Sequence, residues 1–481
     1  MYICKLIILD KAEFGKPIGY SYPEGLTFNQ NTKPTFAQMQ TDNNNTEIKR
    51  ILDNLKIEEL NEMQLASLQA KPTEDVILLS ITGSGKTLAF LLPLLQLLKK
   101  DIKGVQAIII VPSRELAIQI DDVFRKMQTG YKVTLCYGGH KREIEETNLV
   151  QSPALIIGTP GRIADHIRRN NFSTELITTL ILDEFDKSLE LGFHEEVEFI
   201  INSLKNINKR ILTSATESVI VPEFIKLNNP LRLNYLNLVI ENAIGLEVKT
   251  VFSDDKDKTD TLFKLICFLG NRSTIIFCNH RLSVERTSTL LSDKGIVNVF
   301  YHGGMEQQER DAALCKFRNG TSNILVTTDL AARGLDIPNI RNIIHYHLPT
   351  AEDIFTHRNG RTARMEASGT AYVIYSQDEN LPEYITANAT EQPLTDKNEL
   401  PEKPKWSTLF IAAGKKDKIN KIDIVGFLSQ KGELKKEDIG LIEVKDFFSF
   451  VAIKKIKVSE TLQLIKNEKI KNKKVKIEVA R

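Results

Sequence analysis

The residues Gly83-Ser84-Gly85-Lys86-Thr87 have the composition of a loop that binds phosphate groups. They follow the apolar run 76–80, from which a short segment with Thr82 separates them, and they precede an apolar helical stretch. This is the strand–loop–helix order that such loops need. Glycines let backbone N–H groups converge on phosphate oxygens at a helix N-terminus, and Lys86 adds positive charge there. The hydroxyl of Thr87 can bind Mg²⁺. This stretch predicts a site for a nucleoside triphosphate and magnesium.

A second acidic element, Asp183-Glu184-Phe185-Asp186, stands at the end of the apolar run 179–183. A carboxylate at the carboxyl end of a strand can hold Mg²⁺, and its neighbour can orient or deprotonate an attacking water. Acidic residues at strand ends more often cap a helix, but this element belongs to the same predicted sheet as the phosphate loop. We therefore predict hydrolysis of the nucleotide, with Lys86, Asp183 and Glu184 in catalysis and with Thr87 and Asp183 on the metal.

The elements that must position these residues repeat along the chain. Short apolar runs alternate with amphipathic stretches at 76–80, 107–111, 133–137, 154–158, 179–183 and 210–214. The rhythm restarts at 274–278, 297–301, 323–327, 342–346 and 370–375. Continuous apolar strands with helices between them are typical of parallel sheets covered on both faces. The sequence predicts two tandem α/β domains, residues 46–232 and 233–390, after an arm at 1–45 that we expect to be disordered.

The C-terminal part has a different pattern and a different charge. Residues 391–404 are charged and contain three prolines, which is typical of a linker. Residues 405–481 follow with strands at 407–413, 439–445, 447–453 and 473–480 and helices at 421–431 and 459–467, a βαββαβ order. This tail carries 19 Lys and Arg against 10 Asp and Glu, or +9, whereas the chain as a whole carries +2. Such a tail suits nucleic acid, although lysine-rich surfaces also serve solubility alone.

Composition excludes several other classes. Hydrophobic residues make up 42% and charged residues 26%, which rules out a wholly disordered, collagen-like or coiled-coil chain. The longest apolar stretch, 88–98, holds a proline and a glutamine, so we expect no membrane partner. The five cysteines are scattered without a CxxC pair, which indicates reduced thiols. We expect a monomeric, cytoplasmic protein.

Over residues 47–378 the order and spacing of these and further motifs resemble the DEAD-box RNA helicases. The further motifs are Gln64, the segment 112–117, the segment 159–162, the triplet 214–216, Gln307 with Arg310, the segment 327–338 and the segment 357–364. The resemblance implies an α/β fold of two tandem RecA-like parallel-sheet domains followed by a small βαββαβ, RRM-like domain. It also implies an RNA-dependent ATPase that uses ATP and Mg²⁺ and closes its two domains around both ligands.

The resemblance assigns roles to individual residues of this sequence. Catalysis would add two arginines of the second domain, Arg361 and Arg364. The nucleotide would be contacted further by Gln64, Gly334 and Asp336. The RNA backbone would be contacted by Arg114, Gly139, Thr159, Arg162, Gln307, Arg310 and Thr328. ATP hydrolysis would be coupled to RNA by Asp186, Ser214, Thr216 and His357.

The sequence departs from the family pattern at four positions. Phe185 replaces the usual alanine of the acidic motif, and we expect altered packing with intact chemistry there. Ala363 replaces a glycine, and His280 replaces a threonine. Glu47 stands where the family has an aromatic residue that stacks on adenine, which predicts looser selection of that base.

The tail resembles the C-terminal RNA-binding domain of the bacterial DbpA helicases, which docks a hairpin of large-subunit ribosomal RNA. Phe448 and Phe450 on its third strand are expected to stack on bases, with a place in the core as the alternative. Lysines 473, 474 and 476 are expected to contact phosphates. The hypothesis is an RNA helicase that locally unwinds ribosomal RNA in pre-ribosomal particles. A general RNA remodeller without ribosomal specificity, and a catalytically idle RNA-binding scaffold, are the alternatives.

Overall fold

The computed structural model describes residues 42–81, 83–139, 141–216, 220–236, 245–329, 340–362, 369–395 and 399–480. Helix α1 (Asp42–Leu55) begins inside the arm that the sequence analysis expects to be disordered, so the last residues of that arm are helical. The rest of the arm, up to residue 41, lies outside the described residues.

The first sheet is parallel and is ordered β3-β4-β2-β5-β6-β1-β7. Its strands are β1 (Val76–Leu79), β2 (Ala107–Ile110), β3 (Val133–Cys136), β4 (Leu155–Gly158), β5 (Thr179–Leu182), β6 (Lys209–Ser214) and β7 (Leu231–Asn234). The associated helices are α2 (Glu62–Gln69), α3 (Lys86–Leu97), α4 (Arg114–Lys126), α5 (Arg142–Leu149), α6 (Pro160–Arg168), α7 (Phe185–Glu190) and α8 (His194–Ser203). Strands β1, β2, β4 and β5 are buried at every residue, as their continuous apolar runs predict.

The second sheet repeats this architecture in the order β10-β11-β9-β12-β13-β8-β14. Its strands are β8 (Leu246–Ser253), β9 (Thr274–Phe277), β10 (Val299–Tyr301), β11 (Ile324–Thr327), β12 (Asn342–His345), β13 (Gly369–Ser376) and β14 (Ala389–Glu391). Its helices are α9 (Thr259–Leu269), α10 (Arg281–Asp293), α11 (Gln307–Arg318), α12 (Glu352–Asn359) and α13 (Glu383–Thr386). The two tandem parallel-sheet domains that the sequence analysis predicts are confirmed.

Three strands extend the two sheets beyond the prediction. Strands β7, β8 and β14 are partly exposed, so they lack the continuous apolar run by which the other strands are recognised. Strand β7 pairs with β1 and runs across the predicted boundary at residue 232. Strand β14 pairs with β8 and ends one residue beyond the predicted limit at 390.

The tail forms an antiparallel sheet in the order β16-β17-β15-β18, which confirms the βαββαβ pattern. Its elements are β15 (Trp406–Ile411), α14 (Lys421–Gln430), β16 (Ile439–Val444), β17 (Ser449–Lys454), α15 (Val458–Ile465) and β18 (Ile477–Val479). One sheet face packs on the two helices around Leu409, Leu428 and Val451. Across the described ranges of the whole chain, no helix has the length and apolarity to cross a bilayer.

Candidate nucleotide and RNA site

The phosphate loop lies between the end of β1 and the start of α3. Gly83 and Gly85 have φ angles of 88° and 89°, a left-handed conformation that favours glycine. A side chain at Gly85 would also place its Cβ 2.5 Å from Nε2 of Gln64. The Ser84 hydroxyl closes the loop by donating to the carbonyl of Ile81 at 2.8 Å. The loop therefore has the open backbone that a phosphate cradle needs.

Gln64 lies against this loop at the start of α2. Its side-chain oxygen accepts from the N–H of Asn61 at 3.0 Å, and the Asn61 side chain accepts from the N–H of Gln64 at 2.9 Å. The Gln64 amide nitrogen donates to the carbonyl of Gly85 at 3.3 Å, and that of Asn61 donates to the carbonyl of Ser84 at 3.0 Å. The cap of α2 thus holds the predicted adenine-contacting residue beside the phosphate loop. Asn61, which the sequence analysis missed, sits in a recognisable capping-box position.

Three charged side chains converge at the carboxyl end of β5. Lys86, Asp183 and Glu184 are all buried, and Lys86 Nζ and Glu184 Oε2 make no hydrogen bond to another described residue. Thr213 donates its hydroxyl to Asp183 at 2.5 Å and accepts the N–H of Glu184 at 3.1 Å. Burial raises the pKa of Asp183, against the influence of Lys86 and of the Thr213 hydrogen bond. A buried cation and two buried carboxylates with unused bonding capacity are typical of a reactive site.

The acidic motif also contacts the triplet at the end of β6. The Ser214 hydroxyl donates to Asp186 at 3.1 Å, and the Thr216 hydroxyl donates to the same carboxylate at 3.4 Å. The N–H of Thr216 donates to the Ser214 hydroxyl at 3.0 Å. Three of the four residues that the resemblance assigns to coupling are therefore in direct contact. Phe185 is buried in the apolar core of the first domain.

The second domain presents α12 and the residues after it to this site. Burial and then the charge of Asp183 raise the pKa of Glu184, whereas Lys86 of the same domain and Arg361 of the second domain oppose that rise. Arg361 and His357 are buried, and Arg358 anchors α12 to its own sheet by an ion pair of 2.5 Å with Asp329. Four other residues of the predicted site and one departure from the family pattern lie outside the described residues: Thr82, Gly334, Asp336, Arg364 and Ala363.

Several predicted RNA contacts meet where the two domains face each other. Arg114, at the start of α4, lies 4.0 Å from Asp311 of α11, and Arg310 of α11 lies 3.5 Å from Glu115. A side chain at Gly139 would place its Cβ 3.1 Å from Arg114 Nη1 and 3.7 Å from Gln307 Oε1. The structure thus brings Arg114, Gly139, Gln307 and Arg310 together. The carboxylates Glu115 and Asp311 were missed, because pairing between distant segments leaves no pattern in a single sequence.

Arg162 is held by a buried network in the first domain. It donates to Glu145 Oε2 at 2.8 Å, and His166 lies 2.7 Å from the same oxygen. The N–H of Tyr137 donates to the other oxygen of Glu145 at 2.9 Å. Cys136, Glu145 and His166 have the donor types of a metal site, but the Glu145 oxygens already accept these hydrogen bonds. We therefore interpret the cluster as the support of Arg162.

The remaining predicted motor contacts lie at element ends. Thr159 precedes α6, and its N–H donates to the carbonyl of Cys136 at 3.0 Å. Thr328 follows β11, where its carbonyl accepts from the Thr327 hydroxyl at 3.1 Å. Both residues are half-buried. Among the described residues, no defined hydrogen bond joins either of them to the side chains of the predicted nucleotide site.

The outer face of the tail sheet is covered by α11 of the second domain. Phe450 is 1% exposed and packs with Ala312 and Cys315, and Phe410 and Phe448 adjoin this cluster. The Thr408 hydroxyl accepts from the side-chain amide of Asn319 at 2.8 Å. This corrects the expectation that Phe450 stacks on an RNA base, because its ring is already covered by protein, and the contacts support a packing role for it. Phe448 is only partly buried, so its stacking on RNA stays a prediction.

The predicted phosphate-binding lysines of the tail are exposed. Lys473 forms an ion pair with Asp417, and Lys476 forms one with Glu478 at 2.8 Å. Lys474 is exposed between them. Exposed ion pairs of this kind contribute little to stability, so they leave these cations available to a polyanion.

Comparisons with known proteins agree with this geometry. Residues 61–223 match the DEAD/DEAH box helicase family, residues 257–366 the helicase conserved C-terminal domain, and residues 408–479 the DbpA RNA binding domain. The ATP-dependent RNA helicase DbpA of Bacillus subtilis is 31% identical over 90% of this chain and 97% of its own length. The ATP-dependent rRNA helicase RRP3 of Encephalitozoon cuniculi is 34% identical over 63% of this chain and 76% of its own.

Among solved structures, Saccharomyces cerevisiae Dbp5 bound to RNA and ADP BeF3 superposes with a TM-score of 0.64 at 26% identity. The match covers 72% of this chain and 93% of that one. The nucleotide site, the two parallel-sheet domains, the tail and the near full-length relationship lead to one assignment: the chain belongs to the DEAD-box ATP-dependent RNA helicases, in the DbpA group.

Proposed function

We propose that this helicase hydrolyses ATP between its two α/β domains and uses domain closure to unwind structured ribosomal RNA locally during large-subunit assembly. The observation that carries the proposal is that residues of the two domains meet both at the predicted nucleotide site and at the predicted RNA site. The positive charge of Arg361 in the second domain opposes the rise in the pKa of Glu184 in the first domain. Arg310 of the second domain lies 3.5 Å from Glu115 of the first. Both proposed ligand sites would thus include residues of both domains.

In the proposed reaction the phosphates of ATP lie on the loop 83–87, where Lys86 supplies positive charge. Glu184 orients the attacking water and accepts its proton. Because its pKa is raised, Glu184 is a better proton acceptor than an exposed carboxylate. Arg361, and Arg364 by resemblance, stabilise the charge that develops on the transferred phosphoryl group.

A magnesium ion fits the oxygen donors at this site. Asp183 and Thr87 would hold it, and the raised pKa of Asp183 indicates that its charge is poorly compensated by the protein alone. When bound, the ion neutralises phosphate charge during phosphoryl transfer.

The RNA backbone would cross the surface formed by Arg114, Gly139, Gln307 and Arg310. Contacts to the backbone carry no base information, so this surface would bind RNA of any sequence. Holding one strand across two domains by its phosphates would separate it locally from its partner. Contacts between Asp186 and the triplet 214–216 would link this event to ATP hydrolysis.

The ribosomal part of the proposal rests on the tail. Its match to the DbpA RNA binding domain, its charge of +9 and its docking on α11 would place a bound RNA beside the motor. The rRNA helicase RRP3 among the relatives agrees with such a substrate. A general RNA remodeller without ribosomal specificity would have the same motor and differ only in what the tail selects.

The motor assignment is tested by Lys86→Ala and Glu184→Gln. Each variant should lower RNA-stimulated phosphate release by about 100-fold or more, because each removes a group that acts on the transferred phosphoryl or on the water. Glu184→Gln should still bind RNA in the presence of ATP, since its defect lies in the chemical step. Normal turnover by either variant would refute the role given to that residue.

A further inference from the structure

Lys187 is a buried cation that forms ion pairs with one carboxylate of its own domain and one carboxylate of the second domain. It follows the acidic motif directly, in helix α7, and its side chain is fully buried. Its Nζ lies 2.6 Å from Glu190 of the same helix and 2.7 Å from Asp353 of the second domain. A buried lysine is costly unless a carboxylate pairs with it, so the contact with Asp353 has energetic weight.

Asp353 belongs to α12, the helix of the second domain that Arg361 follows. It lies in the first turn of α12, and His357 and Arg358 lie in the last turn. Arg358 fixes this helix to its own domain by the ion pair with Asp329 and by a 2.8 Å hydrogen bond to Asn279. A contact that fixes the position of Asp353 therefore also fixes the position of α12 and of Arg361, which follows this helix.

We propose that Lys187 and Asp353 are positioning residues, and that their ion pair holds α12 and Arg361 in register with the acidic motif when the domains close. Neither residue touches the reacting atoms. The pair joins the two domains at the helix that carries Asp186 of the acidic motif, apart from the contacts of Arg310 and Arg114. This inference rests on the role proposed for Arg361.

The test is a double-mutant cycle in the full-length protein, with Lys187→Met, Asp353→Asn and the combined variant. Each single change should raise the RNA concentration that gives half-maximal ATPase activity by about fivefold or more, the usual range for coupling between sites. The combined variant should be no worse than the single ones, because the interaction can be lost only once. Asp353→Glu keeps the charge and should restore near wild-type behaviour.

The matched control is Glu190→Gln, which removes the other carboxylate on Lys187 and leaves the contact between domains. It should shift the half-maximal RNA concentration by less than about twofold. The population of the closed state gives a second readout. It is measured with RNA and a non-hydrolysable ATP analogue, by energy transfer between dyes at the exposed positions 143 and 383. That population should fall in Lys187→Met and Asp353→Asn.

The outcomes separate the two proposals. Additive effects of the two single changes, or an equal effect of Glu190→Gln and Asp353→Asn, would overturn the inference while leaving the ATPase assignment intact. A wild-type protein without RNA-stimulated hydrolysis would refute the proposed function instead, and the energy-transfer measurement would still decide on the pair. Because Asp353 is partly exposed, Asp353→Asn tests the inference even if Lys187→Met fails to fold.

Discussion

At the scale of single residues, the nucleotide site concentrates charge that the protein does not fully compensate. Asp183 and Glu184 are buried side by side, and Lys86 is the cation that opposes them from the phosphate loop. Burial of ionised carboxylates costs free energy unless hydrogen bonds or opposite charges offset it. The ligand-free site is therefore less stable than a neutral site of the same shape would be, and bound ligands would relieve that cost.

This argument predicts that Asp183→Asn stabilises the ligand-free protein. The pKa of Asp183 is higher in the folded protein than in the unfolded chain, so the folded state binds more protons and stability falls as the pH rises through that interval. The asparagine keeps an acceptor for Thr213 and removes the charge. The melting temperature at pH 8 should rise by about 2–4 °C, and the gain should shrink towards pH 4.

The control for that measurement is Asp165→Asn in the same domain. A hydrogen bond from Arg169 lowers the pKa of Asp165, so its charged form contributes to stability instead of opposing it. This variant should show no gain at pH 8. A gain of equal size in both variants would indicate a general charge effect and would contradict the burial argument.

Sequence patterns could identify the residues of the site that belong to continuous motifs. The loop 83–87, Asp183 with Glu184, and the triplet 214–216 all lie where their strands end, as the spacing indicates. Asp311, Glu145 and Asp353 could not be found in this way. Each acts through a partner in a distant segment, and which distant segments meet is decided by packing rather than by local pattern.

At the scale of elements, α11 contacts both the first domain and the tail. Its first turns carry Gln307 and Arg310 towards the first domain, and Ala312 and Cys315 pack against the tail sheet. Lys445 of the tail lies 3.8 Å from Asp311, which also lies 4.0 Å from Arg114. One helix thus connects the predicted RNA-binding surface of the motor with the docked tail.

We predict that Ala312→Glu undocks the tail, because a carboxylate forced into this apolar contact would be buried without a partner. The only tryptophan of the chain, Trp406, reports on this event, since it lies beside Gly320 of the second domain. Its fluorescence emission should shift to longer wavelength, and stimulation by tail-bound RNA should fall. Gln308→Glu, at an exposed position of the same helix, should leave the emission unchanged.

The same helix explains why the prediction of base stacking failed at Phe450. Alternation along the predicted strand 447–453 correctly separates Phe448 and Phe450 from the residues that pack on α14 and α15. It does not tell whether the second face meets RNA or another domain. Small side chains at Ala312 and Cys315 make α11 a close fit for that face, and this fit depends on the relative placement of two domains.

At the scale of the whole molecule, charge is unevenly distributed between motor and tail. The tail carries +9, and the remaining residues carry −7 by subtraction from the net charge of +2. With its aromatic face covered by α11, the tail would hold RNA through lysines at its exposed side. Such binding weakens with salt because each phosphate contact releases condensed counterions.

The last prediction therefore concerns Lys473, Lys474 and Lys476, changed together to glutamine in the full-length protein. RNA binding should weaken for every RNA, and the slope of log affinity against log salt should decrease by about 2, at roughly 0.7 per contact with single-stranded RNA. Basal ATPase activity should stay near wild type, since the ion pairs of Lys473 and Lys476 lie within the tail. The matched control is Lys466→Gln with Lys469→Gln, two exposed lysines elsewhere on the tail. Half-maximal ATPase stimulation should need more RNA in the triple variant, for a ribosomal RNA fragment and for random RNA alike, and should be unchanged in the control. An unchanged salt slope would exclude these lysines from the interface, and equal stimulation of the wild type by both RNAs would favour the general remodeller.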